Sequence, residues 1–354
     1  MAVLNDEQEM LRDMAREWTK NEHPVGAWRK VRDAGEPFDA DAWGAMGEMG
    51  WAGIIIPEEH GGTDFGWLSL GLVVEELGKS LAASPLIASA LAASAIVLGG
   101  SDEQKAEYLP RLASGELIGT LAFDEGPRHA GLTASASVHG GRLTGTKAFV
   151  HEASRAGLFV VLASDGVYLV EQGKGITLSK RAMVDMRDHA EIDFNDAPAQ
   201  KLAAGGDDLA QKILDRARVL TAAEMLGMCQ AVFDTTLDYL KQRVQFNQVL
   251  SSFQALQHRM ADLYSELEMT RSAVEGGLQA LDSGFAVTEA AMLAKARAND
   301  ALHLISKEGI QLHGGIGMTD EYAVGFFLKR ARVLEASWGS SSHLRDRFAT
   351  MKAY

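Results

Sequence analysis

An α+β fold in three consecutive segments is what this chain predicts: helical over 1–116, antiparallel β over 117–204, and a helical bundle over 205–354. Three observations carry that expectation. Asn5 with Gln8 and Ser101 with Gln104 have the spacing of capping boxes, in which two side chains satisfy each other's backbone N–H groups at a helix start. Between 117 and 204 the apolar period falls towards two, and turn dipeptides replace caps. From Asp207 onward apolar residues again recur at helical spacing.

The elements follow in order. After Asn5, Leu11, Met14 and Trp18 lie on one helical face. A second helix over about 40–49 ends in Gly50-Trp51-Ala52-Gly53, and the apolar run 54–56 is stopped by Pro57-Glu58-Glu59-His60-Gly61-Gly62. Further helices are expected over about 67–78 and 86–98, and Ser101 caps one that carries Tyr108 and Leu112. In the middle segment 117–123 is a short apolar run and 133–138 alternates. His139-Gly140-Gly141 reads as a hairpin turn into 143–150. Asp165-Gly166 predicts a two-residue hairpin between 158–163 and 167–170, and 190–194 alternates cleanly. Nothing in this stretch resembles a βαβ unit. Thereafter one helix is expected to about Gln245, a second from about Ser252 to Leu281 and a third from about Thr288 to Leu312. The stripe Ala294, Ala298, Ala301, Ile305, Leu312 is mostly small, as close helix packing requires. With one more helix, an antiparallel bundle of four follows.

Composition narrows the function. The 354 residues are 47% hydrophobic and 23% charged, with a formal net charge of −14. That balance argues against nucleic acid or an anionic membrane as partner. Cys229 is the single cysteine, which excludes an internal disulfide and fits a cytoplasmic location. The start MAVLNDEQEM has neither the basic nor the apolar part of a signal peptide. The apolar run 86–99 is shorter than the roughly 20 residues a membrane span needs.

The stretch with most chemical content is Gln311-Leu312-His313-Gly314-Gly315-Ile316-Gly317, where a long helical pattern breaks into glycines. Glycine there permits a left-handed helix end, with His313 suited to the last turn, and also lets another molecule approach bare backbone. Both uses are open on spacing alone. In order along the chain, the loop 50–62, then Ala222-Ala223 with Gly227, then Tyr239, Arg243, Gln245, Phe246, Phe253, Gln254 and His258, then 311–317, together resemble the acyl-CoA dehydrogenase family. The likeness spans nearly the whole chain. It implies that family's fold: an N-terminal helical domain, a middle antiparallel β domain and a C-terminal four-helix bundle.

The resemblance further implies an FAD-dependent oxidoreductase acting on the CH–CH bond of an acyl-CoA in lipid β-oxidation. It would be a homo- or hetero-oligomer (dimer or tetramer), with electron-transfer flavoprotein as acceptor. Arg243, Phe246, Gln254, Gln311, Gly314 and Gly315 match positions that hold the adenosine-diphosphate half of an FAD held mainly by a neighbouring subunit. Arginine's charged fork suits pyrophosphate, and glycine exposes N–H groups. The family usually has glycine after the phenylalanine, and here Asn247 takes the turn, the next-best residue for positive φ. Asp215 and Arg218 match substrate-contacting positions, and three-residue spacing puts them on one helix face.

Departures are concentrated at the chemistry. Relatives abstract a proton with a glutamate set just before a glycine after the Gly-rich loop, or in a minority with one on the first bundle helix. Those positions hold Trp338, followed by Gly339, and Ala217. An indole has no basic lone pair to take that proton. Glu224 lies about 10 Å along the helix from Ala217, and Glu335 precedes Trp338 by one turn, so both are displaced from the base positions. In the middle segment 123–131, with Asp124, Glu125 and Pro127, stands where relatives carry a loop over flavin and thioester. Phe149-Val150-His151 matches the family's Trp-Ile-Ser/Thr at the flavin ring, and the imidazole keeps a hydrogen-bonding function there. Three readings follow: a catalytically silent subunit lending FAD-binding residues to a partner, a self-sufficient dehydrogenase with an unconventional base, or a non-redox acyl-CoA-binding scaffold.

Overall fold

The computed structural model describes residues 3–129, 131–206 and 208–354. Met1 and Ala2 of the N-terminal reading, Ala130 of the loop 123–131, and Asp207 at the start of the third segment lie outside the described residues. The chain forms two compact units. One takes the residues up to Trp28 with Gly71–Ala82 and Arg218–Tyr354, and the other takes Arg29–Leu70 and Ala83–Ala217.

The order of elements is the expected one, helices, then sheets, then bundle. Helices α1 (Asp6–Asn21), α2 (Val25–Ala34), α3 (Ala40–Glu48), α4 (Gly66–Ser80), α5 (Leu86–Gly99) and α6 (Asp102–Ala113) come first. Both capping boxes form, Asn5 with Gln8 at α1 and Ser101 with Gln104 at α6. Helix α2 was not foreseen. It buries little beyond Trp28 and Val31, too narrow a stripe to stand out in sequence. The run 54–56 is buried in a series of tight turns rather than a strand.

The middle segment folds as two four-stranded sheets. One orders β1 (Gly119–Ala122), β4 (Leu158–Ala163), β5 (Gly166–Glu171) and β8 (Gln200–Lys201). The other orders β2 (Ser137–His139), β3 (Arg142–His151), β7 (His189–Pro198) and β6 (Ile176–Lys180). Two expectations need correction. The β region is not wholly antiparallel, because β1 pairs with β4 in parallel, Gly119 beside Leu158. The β4–β5 hairpin turns on Ser164-Asp165, one residue earlier than read, since Gly166 already pairs with Ala163. The Gly140-Gly141 turn joins β2 to β3 as expected. The core between the sheets is built on Leu143, Phe159, Val161, Val170, Ile192 and Phe194, with Phe159 edge-on to Phe194 at 6.1 Å.

The last segment holds α7 (Leu209–Gln242), α8 (Gln254–Ser283), α9 (Val287–His313), α10 (Val324–Ala336) and α11 (Ser341–Met351). Helix α7 ends three residues before the expected Gln245, because the chain turns into a two-stranded ribbon, β9 (Val244–Gln245) against β10 (Gln248–Val249). The stripe Ala294, Ala298, Ala301, Ile305 and Leu312 is buried throughout, as its small residues predicted. Within this unit α4 and α7 touch backbone to backbone. A Cβ at Gly227 would stand 1.9 Å from the Glu75 carbonyl oxygen, and one at Gly78 2.3 Å from that of Glu224. Among the described residues no helix is long and apolar enough to cross a membrane.

Candidate functional site

At one end of the bundle the ribbon brings the C-terminus of α7 to the N-terminus of α8, and the end of α9 packs beside them. Phe246 and Asn247 form the ribbon's turn with φ of 52° and 64°. Positive φ at both central residues is what a tight hairpin of this hand demands, and asparagine tolerates it. Phe246 is consequently 86% exposed, with its ring edge-on to Phe253 at 6.2 Å. Arg243, Gln254, Gln311, Gly314 and Gly315 are exposed at the same end. Gly314 ends α9 with φ of 65°, and neither Gly314 nor Gly315 has any atom within 4 Å of where a Cβ would stand. Bare backbone facing open space and an exposed guanidinium are the kinds of donor a pyrophosphate takes.

His313 braces this turn. Its ring stacks on Tyr239 at 4.4 Å, and Tyr239 Oη donates to the His313 carbonyl at 3.2 Å. Since a carbonyl only accepts, Nδ1–H donates to Gly309 O at 2.7 Å and Nε2 carries the lone pair. Nε2 is buried without a hydrogen-bond partner among the described residues. Burial pushes the His313 pKa below the ordinary histidine value, although the bond to Gly309 pulls the other way. The unfolded chain therefore takes up a proton, at and below about pH 6.5, that the folded imidazole resists. The thermal midpoint is expected to fall as pH drops through that value. His313→Phe, which keeps the stack, is expected to flatten the fall, as melts at pH 5 and 7 would show.

Deeper in the same unit, the last turn of α10 and the link towards α11 form a strap over 334–339. Trp338 adopts φ of 59° and Gly339 φ of 115°, and the indole is buried. Arg218 Nε donates to the Trp338 carbonyl at 3.1 Å. The two displaced carboxylates are both occupied. Glu224 meets Arg330 through two contacts of 2.9 and 3.2 Å, and Glu335 pairs with Arg332 at 3.1 Å and with His303 at 3.3 Å. Asp215 and Ala217 belong to the other unit and are buried, Asp215 accepting from Gln211 Nε2 at 2.7 Å. With Asp215 and Arg218 at 1% and 3% exposure, a solvated surface pair is excluded.

The β unit holds the remaining expected residues. Phe149 sits at a bulge between Lys147 and Val150, with φ of 52°, which leaves its ring 38% exposed. His151 faces His189 across the strands with ring centres 4.3 Å apart, and its carbonyl accepts from Thr120 Oγ1 at 2.7 Å. In the loop 123–131, Asp124 is held by His129 Nδ1 at 2.8 Å. Glu125 accepts from Lys147 Nζ at 2.6 Å, from the Ser135 N–H and hydroxyl at 2.8 and 2.6 Å, and from the Ala136 N–H at 3.0 Å. Sequence reading missed Lys147, Lys295, Asn299 and the bracing role of Tyr239. A lysine beside the alanine stripe of α9 was the one available signal for Lys295.

Residues 5–116 match the family described as acyl-CoA dehydrogenase, N-terminal domain, and residues 204–351 match acyl-CoA dehydrogenase, C-terminal domain. The chain belongs to the acyl-CoA dehydrogenase family of FAD-linked oxidoreductases. It is 32% identical over 365 residues to a protein named probable acyl-CoA dehydrogenase YngJ of Bacillus subtilis, covering 96% of both chains. It is 31% identical over 329 residues to acyl-CoA dehydrogenase IpdE2 of Mycolicibacterium smegmatis, covering 93% of both. A solved structure described as the Tcur3481-Tcur3483 steroid ACAD G363A variant superposes with a TM-score of 0.92 at 28% identity, covering 98% of both chains.

Proposed function

We propose that this chain is the subunit of a two-component acyl-CoA dehydrogenase that lends FAD-binding residues to a catalytic partner and carries no general base of its own. The observation behind this reading is Trp338. At the position matched to the relatives' glutamate the strap has a left-handed turn and a bond from Arg218, and presents an indole. At the alternative position Ala217 is equally unable to take a proton, and Glu224 and Glu335 are engaged by arginines. A positioned base contributes about 10²- to 10⁴-fold in rate, so its loss silences α-proton abstraction in this chain.

The other end of the bundle keeps its candidate contacts exposed. Arg243, Phe246, Gln254, Gln311, Gly314 and Gly315 would hold the adenosine-diphosphate side of the partner's FAD, and Phe149 and His151 would meet a flavin ring more weakly. The bound flavin would supply hydride acceptance, with electron-transfer flavoprotein as onward acceptor. Asp215 and Arg218 would contact the acyl-CoA. The domains of this subunit are 1–116, 117–204 and 205–354. The likeness to a protein described as a steroid ACAD supports bulky acyl thioesters as the first substrates to try.

Arg243→Ala in the purified mixed complex is the test. A hydrogen bond to a charged group contributes about 1.5–3 kcal/mol, so FAD is expected to bind roughly 10- to 100-fold more weakly and to be lost on gel filtration. Full retention of flavin would sink the lending role.

A further inference from the structure

The strap 334–339 is held by more than Arg218. Lys295 Nζ donates to the Leu334 carbonyl at 2.9 Å and also to Asn299 Oδ1, while Asn299 Nδ2 donates to the Gly339 carbonyl at 3.3 Å. Three strap carbonyls, those of Leu334, Trp338 and Gly339, thus accept from three side chains of α7 and α9, each buried. Left-handed backbone at a residue as bulky as tryptophan costs about 1–2 kcal/mol and persists only where its surroundings over-determine it. The three donors provide that over-determination.

We propose that Lys295 is a positioning residue: with Asn299 it sets where the strap presents residue 338, and its protonation state adjusts that placement. The link to acyl-CoA rests on the function proposed above, whereas the link to the strap rests on the hydrogen bonds alone.

A lysine is an expensive choice for this place. Its amine is fully buried, and a methionine of similar length would pack there without a charge to desolvate. Burial pushes the amine down to about 7, with Arg218 on α7 acting in the same direction and Glu335 on α10 opposing. Two acceptors are present, the Leu334 carbonyl and Asn299 Oδ1, and a neutral amine has two N–H groups, so it satisfies both. The ammonium form brings a third N–H and a charge that draws on Glu335. The two forms therefore pull differently on the strap, from the C-terminal turn of α10 onward.

The indole itself reports on the strap. The fluorescence of Trp338, taken as the difference between the intact protein and Trp338→Phe, is expected to titrate with a midpoint near pH 7. In Lys295→Met the same difference, against the Lys295→Met/Trp338→Phe double variant, is expected to be independent of pH. A merely structural lysine would leave the titration unaltered, and that result overturns the proposal. Lys295→Gln, which keeps an N–H donor and loses the charge, serves if the methionine variant does not fold, and is also expected to abolish the titration. In a second arm, calorimetry with cholyl-CoA, a bulky steroid-acid thioester, on the complex is expected to show about tenfold weaker binding for Lys295→Met. Equal affinity there refutes the positioning of residue 338 for acyl-CoA. Absence of cholyl-CoA binding by the unaltered complex would count against the proposed function, and the fluorescence titration would still decide on Lys295.

Discussion

Gly227→Ala is expected to destabilise the bundle unit by about 3 kcal/mol or more, at the upper end of what overpacking costs. The reason is backbone contact. The added methyl would lie 1.9 Å from the Glu75 carbonyl oxygen, and neither group can rotate away. Helices α4 and α7 would have to separate at a crossing where Gly78 already sits against Glu224. Separation would also disturb the ion pair between Arg271 and Glu75, 2.8 Å long and largely buried. Gly276→Ala is the matched control, since that helical glycine has open space where its Cβ would stand. There alanine is expected to stabilise by up to about 1 kcal/mol through helix propensity. Urea midpoints for both variants decide the matter, and a Gly227→Ala protein unfolding with the wild type would refute the close crossing.

The second large effect belongs to the β unit. Glu125→Gln is expected to cost about 3–5 kcal/mol, because it strips a buried ammonium of its counter-charge. Lys147 is 0% exposed, and among the described residues its amine bonds Glu125 and the Phe123 carbonyl, the latter at 3.2 Å. Burial raises the pKa of Glu125, but Lys147, Ser135 and the N–H groups of Ser135 and Ala136 together outweigh it and hold the carboxyl at about 2. Its contribution to stability is present above the ordinary carboxylate value and is lost as pH falls from about 4.5 through 2. Acid unfolding of the wild type should show this loss, and Glu125→Gln should show less of it. Lys147→Met combined with Glu125→Gln is expected to recover much of the stability, since no uncompensated charge is left buried. If the single and double variants unfold alike, the pair is not what holds the loop 123–131.

Local chemistry made much of the fold legible. Asn5 with Gln8 and Ser101 with Gln104 were readable because a cap is complete within four residues, and both form. The alanine stripe of α9 was readable because periodicity reports a buried face directly. The parallel pairing of β1 with β4 was not, since Gly119 and Leu158 are far apart in sequence and an apolar strand does not encode its neighbour's direction. Asp165-Gly166 misled by one residue because Gly166 pairs within the strand, where Lys201 comes within 2.9 Å of its Cβ position.

At the site the pattern repeats. Gly314, Gly315 and the Phe246-Asn247 turn could be located because positive φ and exposed backbone select residue types. The strap's supports could not, because Lys295 and Asn299 reach carbonyls about 40 residues away, and a carbonyl carries no sequence signature. Trp338 was legible as a departure from a family pattern. That it stands in a left-handed turn became visible only in three dimensions.

The account turns on who holds the flavin. Visible absorbance of the purified chain, alone and after co-expression with a catalytic acyl-CoA dehydrogenase partner, measures this directly. The account predicts a colourless chain by itself and a yellow complex with one FAD shared across each mixed interface. A chain that is yellow alone, with one FAD per subunit, would contradict it.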